Sequence, residues 1–92
     1  MMLIRFRSSA KSDLSSLLAY LEEHAPSSKQ AVVDDLSRSL ETISSFPSAG
    51  AQVDGRHYKR IITPRYHFKL VYEVAAEQIN VLAILRQQGR AY

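Results

Sequence analysis

The side chains with the plainest chemistry are cations gathered toward the end of the chain: Arg56, Lys59, Arg60, Arg65, Lys69, Arg86 and Arg90. Residues 56–92 hold seven Lys/Arg against two Asp/Glu, a net +5, whereas residues 1–55 hold five against seven, a net −2, which together give +3. A basic half of this kind points to an anionic partner, either nucleic acid or an acidic protein surface. A solvated basic face that only aids solubility would give the same count. Tyr58, Tyr66 and Tyr92 are loosely interleaved with the cations, as base stacking on single strands would require. No ribonucleoprotein-type or helix-turn-helix signature accompanies them, so a plain nucleic-acid-binding module is the weaker class.

Acid–base chemistry is thinly represented. His67 is a lone histidine in a strand-like run, and Glu73 reads as a surface salt-bridge partner of a nearby Lys or Arg. His24, His57 and His67 form no HxH or HxxxH pair, and there is no cysteine, so neither a metal centre nor a cofactor is expected.

These groups must be positioned by a small set of elements. Leu3 to Arg7 alternates, with Ile4 and Phe6 to one side, and predicts a half-buried strand. Ser8 and Ser9 offer N-cap oxygens to a first helix whose stripe is Ala10, Leu14, Leu17, Leu18 and Leu21. Ala25-Pro26 ends it. Ser27, with Gln30 three residues on, has the spacing of a capping box and opens a second helix striped by Val32, Val33, Leu36, Leu40 and Ile43. Phe46-Pro47 closes that helix, and residues 47–52 and the Asp54-Gly55 turn read as loop.

Three strand-like runs follow, Tyr58–Ile62, His67–Val74 and Ile79–Arg86. The last is apolar on both faces in its middle. Hairpin-length connections at 63–66 and 75–78 join them. Arg60 and Lys69 fall on adjacent strands, and whether they share a face depends on a register that the sequence leaves open.

The order β-α-α-β-β-β implies an α+β domain, with a helical hairpin packed on one face of a mostly antiparallel sheet of about four strands. Its expected core is Leu14, Leu17, Leu21, Leu36, Leu40, Ile43, Phe68, Leu70, Val81 and Ile84. Tyr72 is expected in the core with its hydroxyl at the rim. Ninety-two residues predict one domain, 1–92. No apolar run approaches a bilayer span, and Arg5 and Arg7 interrupt the apolar start, so a cytoplasmic protein with no membrane partner is expected.

Several of these segments carry a resemblance. Ala10-x-x-Asp13-Leu14, Tyr20-Leu21, Phe46-Pro47-x-x-Gly50, the Tyr66-to-Tyr72 strand and Ile79-x-Val81-Leu82-x-Ile84-Leu85-Arg86 followed by Arg90 resemble, in this order, the RelE/ParE toxin superfamily. The resemblance spans nearly the whole chain. It implies the toxin of a type II toxin–antitoxin (plasmid stabilisation) system, neutralised by a cognate antitoxin encoded beside it. Members of the superfamily act in two ways: ParE-like members poison DNA gyrase, and RelE-like members cut mRNA on the ribosome.

For the RNase branch the resemblance would assign Arg60, Lys69, Arg90 and Tyr92 to the catalytic cluster. The branch's second strand lysine falls at Ile62, and no complete acid–base set is evident. The long helical hairpin and the Phe46-Pro47-x-x-Gly50 loop look more like ParE. A ParE-like gyrase poison is therefore favoured over an mRNA interferase. Contacts to target or antitoxin are expected from Lys59, Arg60, Arg65, Lys69, Arg86 and Arg90.

Overall fold

The computed structural model describes residues 1–86, and its elements follow the expected order with one addition. They are β1 (Leu3–Phe6), α1 (Ser8–His24), a 3-10 turn (Pro26–Ser28), α2 (Lys29–Ser45), β2 (Ala51–Gln52), β3 (Lys59–Ile62), β4 (Phe68–Val74) and β5 (Gln78–Arg86). The sheet has five strands in the order β1-β5-β4-β3-β2. β2 to β5 form an antiparallel meander, and β1 joins the far edge parallel to β5. The extra strand, β2, lies where loop was expected.

The alternation of β4 places Phe68, Leu70 and Tyr72 under the helices, where Ile4, Phe6, Ile61, Ile79, Val81 and Ile84 join them. The helices close this face with Ala10, Leu17 and Leu21 from α1 and Val32, Leu36 and Ile43 from α2. Eight of the ten expected core residues are buried, while Leu14 and Leu40 are half-buried. Leu40→Ala is accordingly expected to cost about 2 kcal/mol, the low end for leucine truncation, as read from urea denaturation.

Proline ends both helices as expected. Ala25 and Phe46 take non-helical conformations and donate backbone N–H bonds to Leu21 and Thr42. The serine caps do not form. Arg7 is the N-cap of α1, Ser28 that of α2, and neither helix has a side-chain cap bond. Ser9 instead donates to the Leu82 carbonyl (2.6 Å), and Gln30 donates to Asp34 (2.9 Å) one turn along α2.

His67, expected at the start of β4, lies in the preceding turn with φ +60°, a left-handed conformation uncommon for a non-glycine residue. Asp35 of α2 secures that turn, accepting hydrogen bonds from the N–H groups of Arg65 (3.1 Å) and Tyr66 (2.8 Å). Thr63, fully buried, accepts the N–H of Phe68 on its hydroxyl (2.9 Å).

β5 changes face partway along. Val71 pairs with Ala83 but Tyr72 pairs with Val81, so Leu82 is the extra residue of a bulge. Ile79 and Val81 face the helices before it, and Ile84 and Arg86 face them after it. The bulge is held by α1: Ser9 bonds the Leu82 carbonyl, and Asp13 accepts the N–H of Ile84 (2.9 Å). Asp13 thus satisfies a strand N–H that lies beyond the reach of β1.

Candidate functional site

Register decides which cations meet. Arg60 lies opposite Val71 and Ile62 opposite Lys69, both pairs alternating with the core pair Ile61–Leu70. Arg60 and Lys69 therefore share the face turned away from the helices. Lys59 lies opposite Tyr72, on the other side of β3, and its ammonium donates to Gln52 (3.3 Å) at the sheet edge. Arg65 is exposed in the β3–β4 turn, its guanidinium 5.3 Å from the Tyr66 ring centroid. Arg86, turned by the bulge toward the helices, stacks its guanidinium 3.9 Å over the ring of Tyr20 on α1. Arg90 and Tyr92 lie outside the described residues. The expected contact residues thus divide among the open sheet face, the sheet edge, a turn and the α1 side.

On the open face the two cations belong to a pocket. The Asp54-Gly55 turn, with Gly55 at φ +71°, folds residues 53–58 back on themselves through bonds from Val53 N–H to the Tyr58 carbonyl and from Arg56 N–H to the Val53 carbonyl (both 3.0 Å). This loop brings Val53, Asp54, Arg56 and Tyr58 against Arg60, Lys69, Val71, Leu82, Ala83 and Leu85, enclosing about 470 Å³. Beside it, the His57 ring lies 3.1 Å from Glu73, which also accepts from the Asn80 amide (3.1 Å). Glu73 thus pairs with a histidine and not with the Lys or Arg expected. Arg56 and this His57–Glu73 pair were not singled out by motif. In the sequence Arg56 counts only toward the basic half and Glu73 only as a surface ion-pair partner, and the signal for their grouping is the Asp-Gly turn, which returns the chain toward the sheet.

Behind the pocket, a buried tyrosine of β4 ties down the Pro-x-x-Gly loop. Tyr72, fully buried, donates its hydroxyl to the Pro47 carbonyl (2.8 Å) and accepts the N–H of Gly50 (2.9 Å). A Cβ at Gly50 would stand 2.6 Å from both that hydroxyl and the Arg60 carbonyl, so the Pro-x-x-Gly loop needs glycine to approach β3. Burial pushes the Tyr72 hydroxyl above its ordinary pKa, and the Gly50 N–H pulls it back only in part, so it stays a neutral donor.

Chemically, the open face offers guanidinium and ammonium donors around an apolar floor, an arrangement suited to binding an anionic, partly apolar partner. A second hollow of about 350 Å³ lies on the helix side between α1 and the sheet, lined by Asp13, Ser16, Leu17, Tyr20, Phe68, Ile84 and Arg86. Among the described residues no helix is long and apolar enough to cross a membrane.

Comparison with known proteins bears on this architecture. The fold is similar to that of a solved chain from the chromosomal ParDE toxin–antitoxin system of P. aeruginosa, at TM-score 0.79 and 20% identity, covering 96% of this chain and 98% of that one. It is also similar to a conserved hypothetical protein, HP0894, from Helicobacter pylori, at TM-score 0.58 and 16% identity, covering 91% and 92%. Among curated proteins there is no match. The family model for the ParE toxin of the type II toxin–antitoxin system parDE matches residues 4–90. With nearly the whole chain matched, the protein belongs to the ParE toxin family of type II toxin–antitoxin systems.

Proposed function

We propose that this toxin poisons DNA gyrase in the cytoplasm and is held inactive by a cognate antitoxin encoded beside it. The observation that carries the reading is the family match over residues 4–90, joined to an open sheet face where Ile62 stands opposite Lys69. The RNase branch would place a second lysine there. His67 is exposed in the turn before β4, outside the strands that carry Arg60 and Lys69, and on this reading it serves no catalytic role.

One observation favours the alternative, a ribosome-dependent mRNA interferase. His57 is held by Glu73 at the end of the same face that carries Arg60, an imidazole–carboxylate pair of the kind general base catalysis uses. The two readings separate in parallel assays of purified protein, one for gyrase-dependent DNA cleavage and one for mRNA cutting on programmed ribosomes. Gyrase-dependent cleavage is expected, with His57→Gln and His67→Gln as active as the parent. Ribosome-dependent cutting that falls by ~10²–10⁴-fold in His57→Gln, with gyrase unaffected, would establish the interferase instead.

A further inference from the structure

The outward positions of the sheet are unusual for a two-layer domain. A face without a covering layer ordinarily alternates to polar residues. Here Ile62, Val71, Ala83 and Leu85 occupy it, all half-buried, and the loop at residues 53–58 walls Val71, Ala83 and Leu85 on one side. Around this apolar floor stand Arg56, Arg60 and Lys69, with Asp54 the one acid of the lining among the described residues. Arg56 and Arg60 are exposed, and no carboxylate of the described residues pairs with either. A floor that loses stability by facing water, ringed by unneutralised guanidinium groups, is complementary to one kind of surface: an apolar side chain flanked by carboxylates.

We infer that this pocket is the anchoring socket of the antitoxin, taking an aliphatic or aromatic side chain of an acidic segment onto Val71, Ala83 and Leu85 while Arg56 and Arg60 bind the flanking carboxylates. The inference rests on the antitoxin reading above and adds the place and chemistry of its grip. The volume of about 470 Å³ lies in the range of sites that bury most of a compact ligand. Apolar anchors set in a desolvated pocket carry a large share of binding energy, and the charged rim governs encounter and salt dependence. The loop wall is folded on itself by the Val53–Tyr58 and Arg56–Val53 backbone bonds, and the His57 ring contacts Glu73 beside it.

The test is titration calorimetry of the full chain with the purified product of the adjacent reading frame, at low and at physiological salt. Arg56→Glu/Arg60→Glu and, separately, Ala83→Arg are each expected to weaken binding on the order of 10–100-fold. Ser16→Arg, in the helix-side hollow, should stay within about twofold. Parent affinity should fall as salt rises. The double charge reversal lies on exposed side chains, so it keeps the test decisive if Ala83→Arg fails to fold. Unchanged affinity in folded socket variants, or loss with Ser16→Arg instead, overturns the socket and leaves the antitoxin reading standing. No binding by the parent chain overturns both. Loss of self-association or of duplex DNA binding in the socket variants, with antitoxin affinity intact, would give the pocket to that occupant and overturn the proposal.

Discussion

Replacing Arg60, Arg86 and Arg90 together with glutamine is expected to abolish toxicity, restoring colony formation on induction to the level of an uninduced culture. The cations concentrate in residues 56–92, and if the target is the DNA-bound gyrase proposed above, the toxin depends on them for encounter as well as for contact. The loss should not come from unfolding. Arg60 is exposed, and the stacking of Arg86 on Tyr20 is a surface contact worth about 0.5–1 kcal/mol. Thermal melting of the triple variant should therefore stay close to the parent. Arg60 and Arg86 lie on opposite faces of the sheet, so comparing Arg60→Gln with Arg86→Gln assigns the target-facing side. Full toxicity in the folded triple variant would remove the basic half from the mechanism.

Much of the fold was legible because its signals are local and strong. The alternation of Phe68, Leu70, Tyr72 and Val74, the two leucine-rich stripes and the prolines at 26 and 47 each specify an element by period or by steric exclusion. The unexpected parts depend on distant partners. β2 is two residues long, too short to show a period, and exists because β3 lies beside it. Ser9 forgoes capping because a carbonyl of β5 is within its reach, a competition invisible in residues 8–12. His67 is held in a left-handed turn by bonds from α2 and Thr63, so its local strand pattern misplaces it by one residue.

The site was harder to read, and the Leu82 bulge shows why. A regular β5 keeping Ile79 and Val81 inward would put Ala83 and Leu85 inward too, and Arg86 on the open face with Arg60. The bulge reverses this, turning Ala83 and Leu85 out into the pocket and Arg86 in over Tyr20. The apolar character of both faces of Ile79–Arg86 was visible in the sequence, but it does not say where the parity changes. Asp13, noticed only as part of a helix-opening motif, is what fixes that point. The grouping of Arg60 with Lys69 likewise waited on a register that no single strand contains.

Asp35→Ala is expected to cost roughly 2–4 kcal/mol, because it leaves two buried-side N–H donors of the β3–β4 turn without their charged acceptor. Asp35 is 4% exposed, the one charged residue on a buried α2 face made otherwise of Val32, Leu36, Ile43 and two serines, Ser39 and Ser44. Burial alone would raise its pKa. The Thr63 hydroxyl, the N–H groups of Tyr66 and Arg65 and the Arg65 charge outweigh that and hold it below the ordinary aspartate value of 3.8. The sign follows from linkage. A carboxyl with a depressed folded pKa contributes its stability above the unfolded value and loses it as pH falls through the folded one. The parent should therefore lose this increment in acid, below about pH 4, while Asp35→Asn should show a shallower acid decline from a lower plateau. Urea denaturation of both between pH 7 and pH 3 reads the difference directly. Parallel curves would mean that Asp35 is not ionised when it holds the turn. Because His67 is kept left-handed by this same turn, Asp35→Ala should also speed amide exchange at residues 65–68 more than elsewhere in the sheet, separating loss of the turn from a general loss of stability.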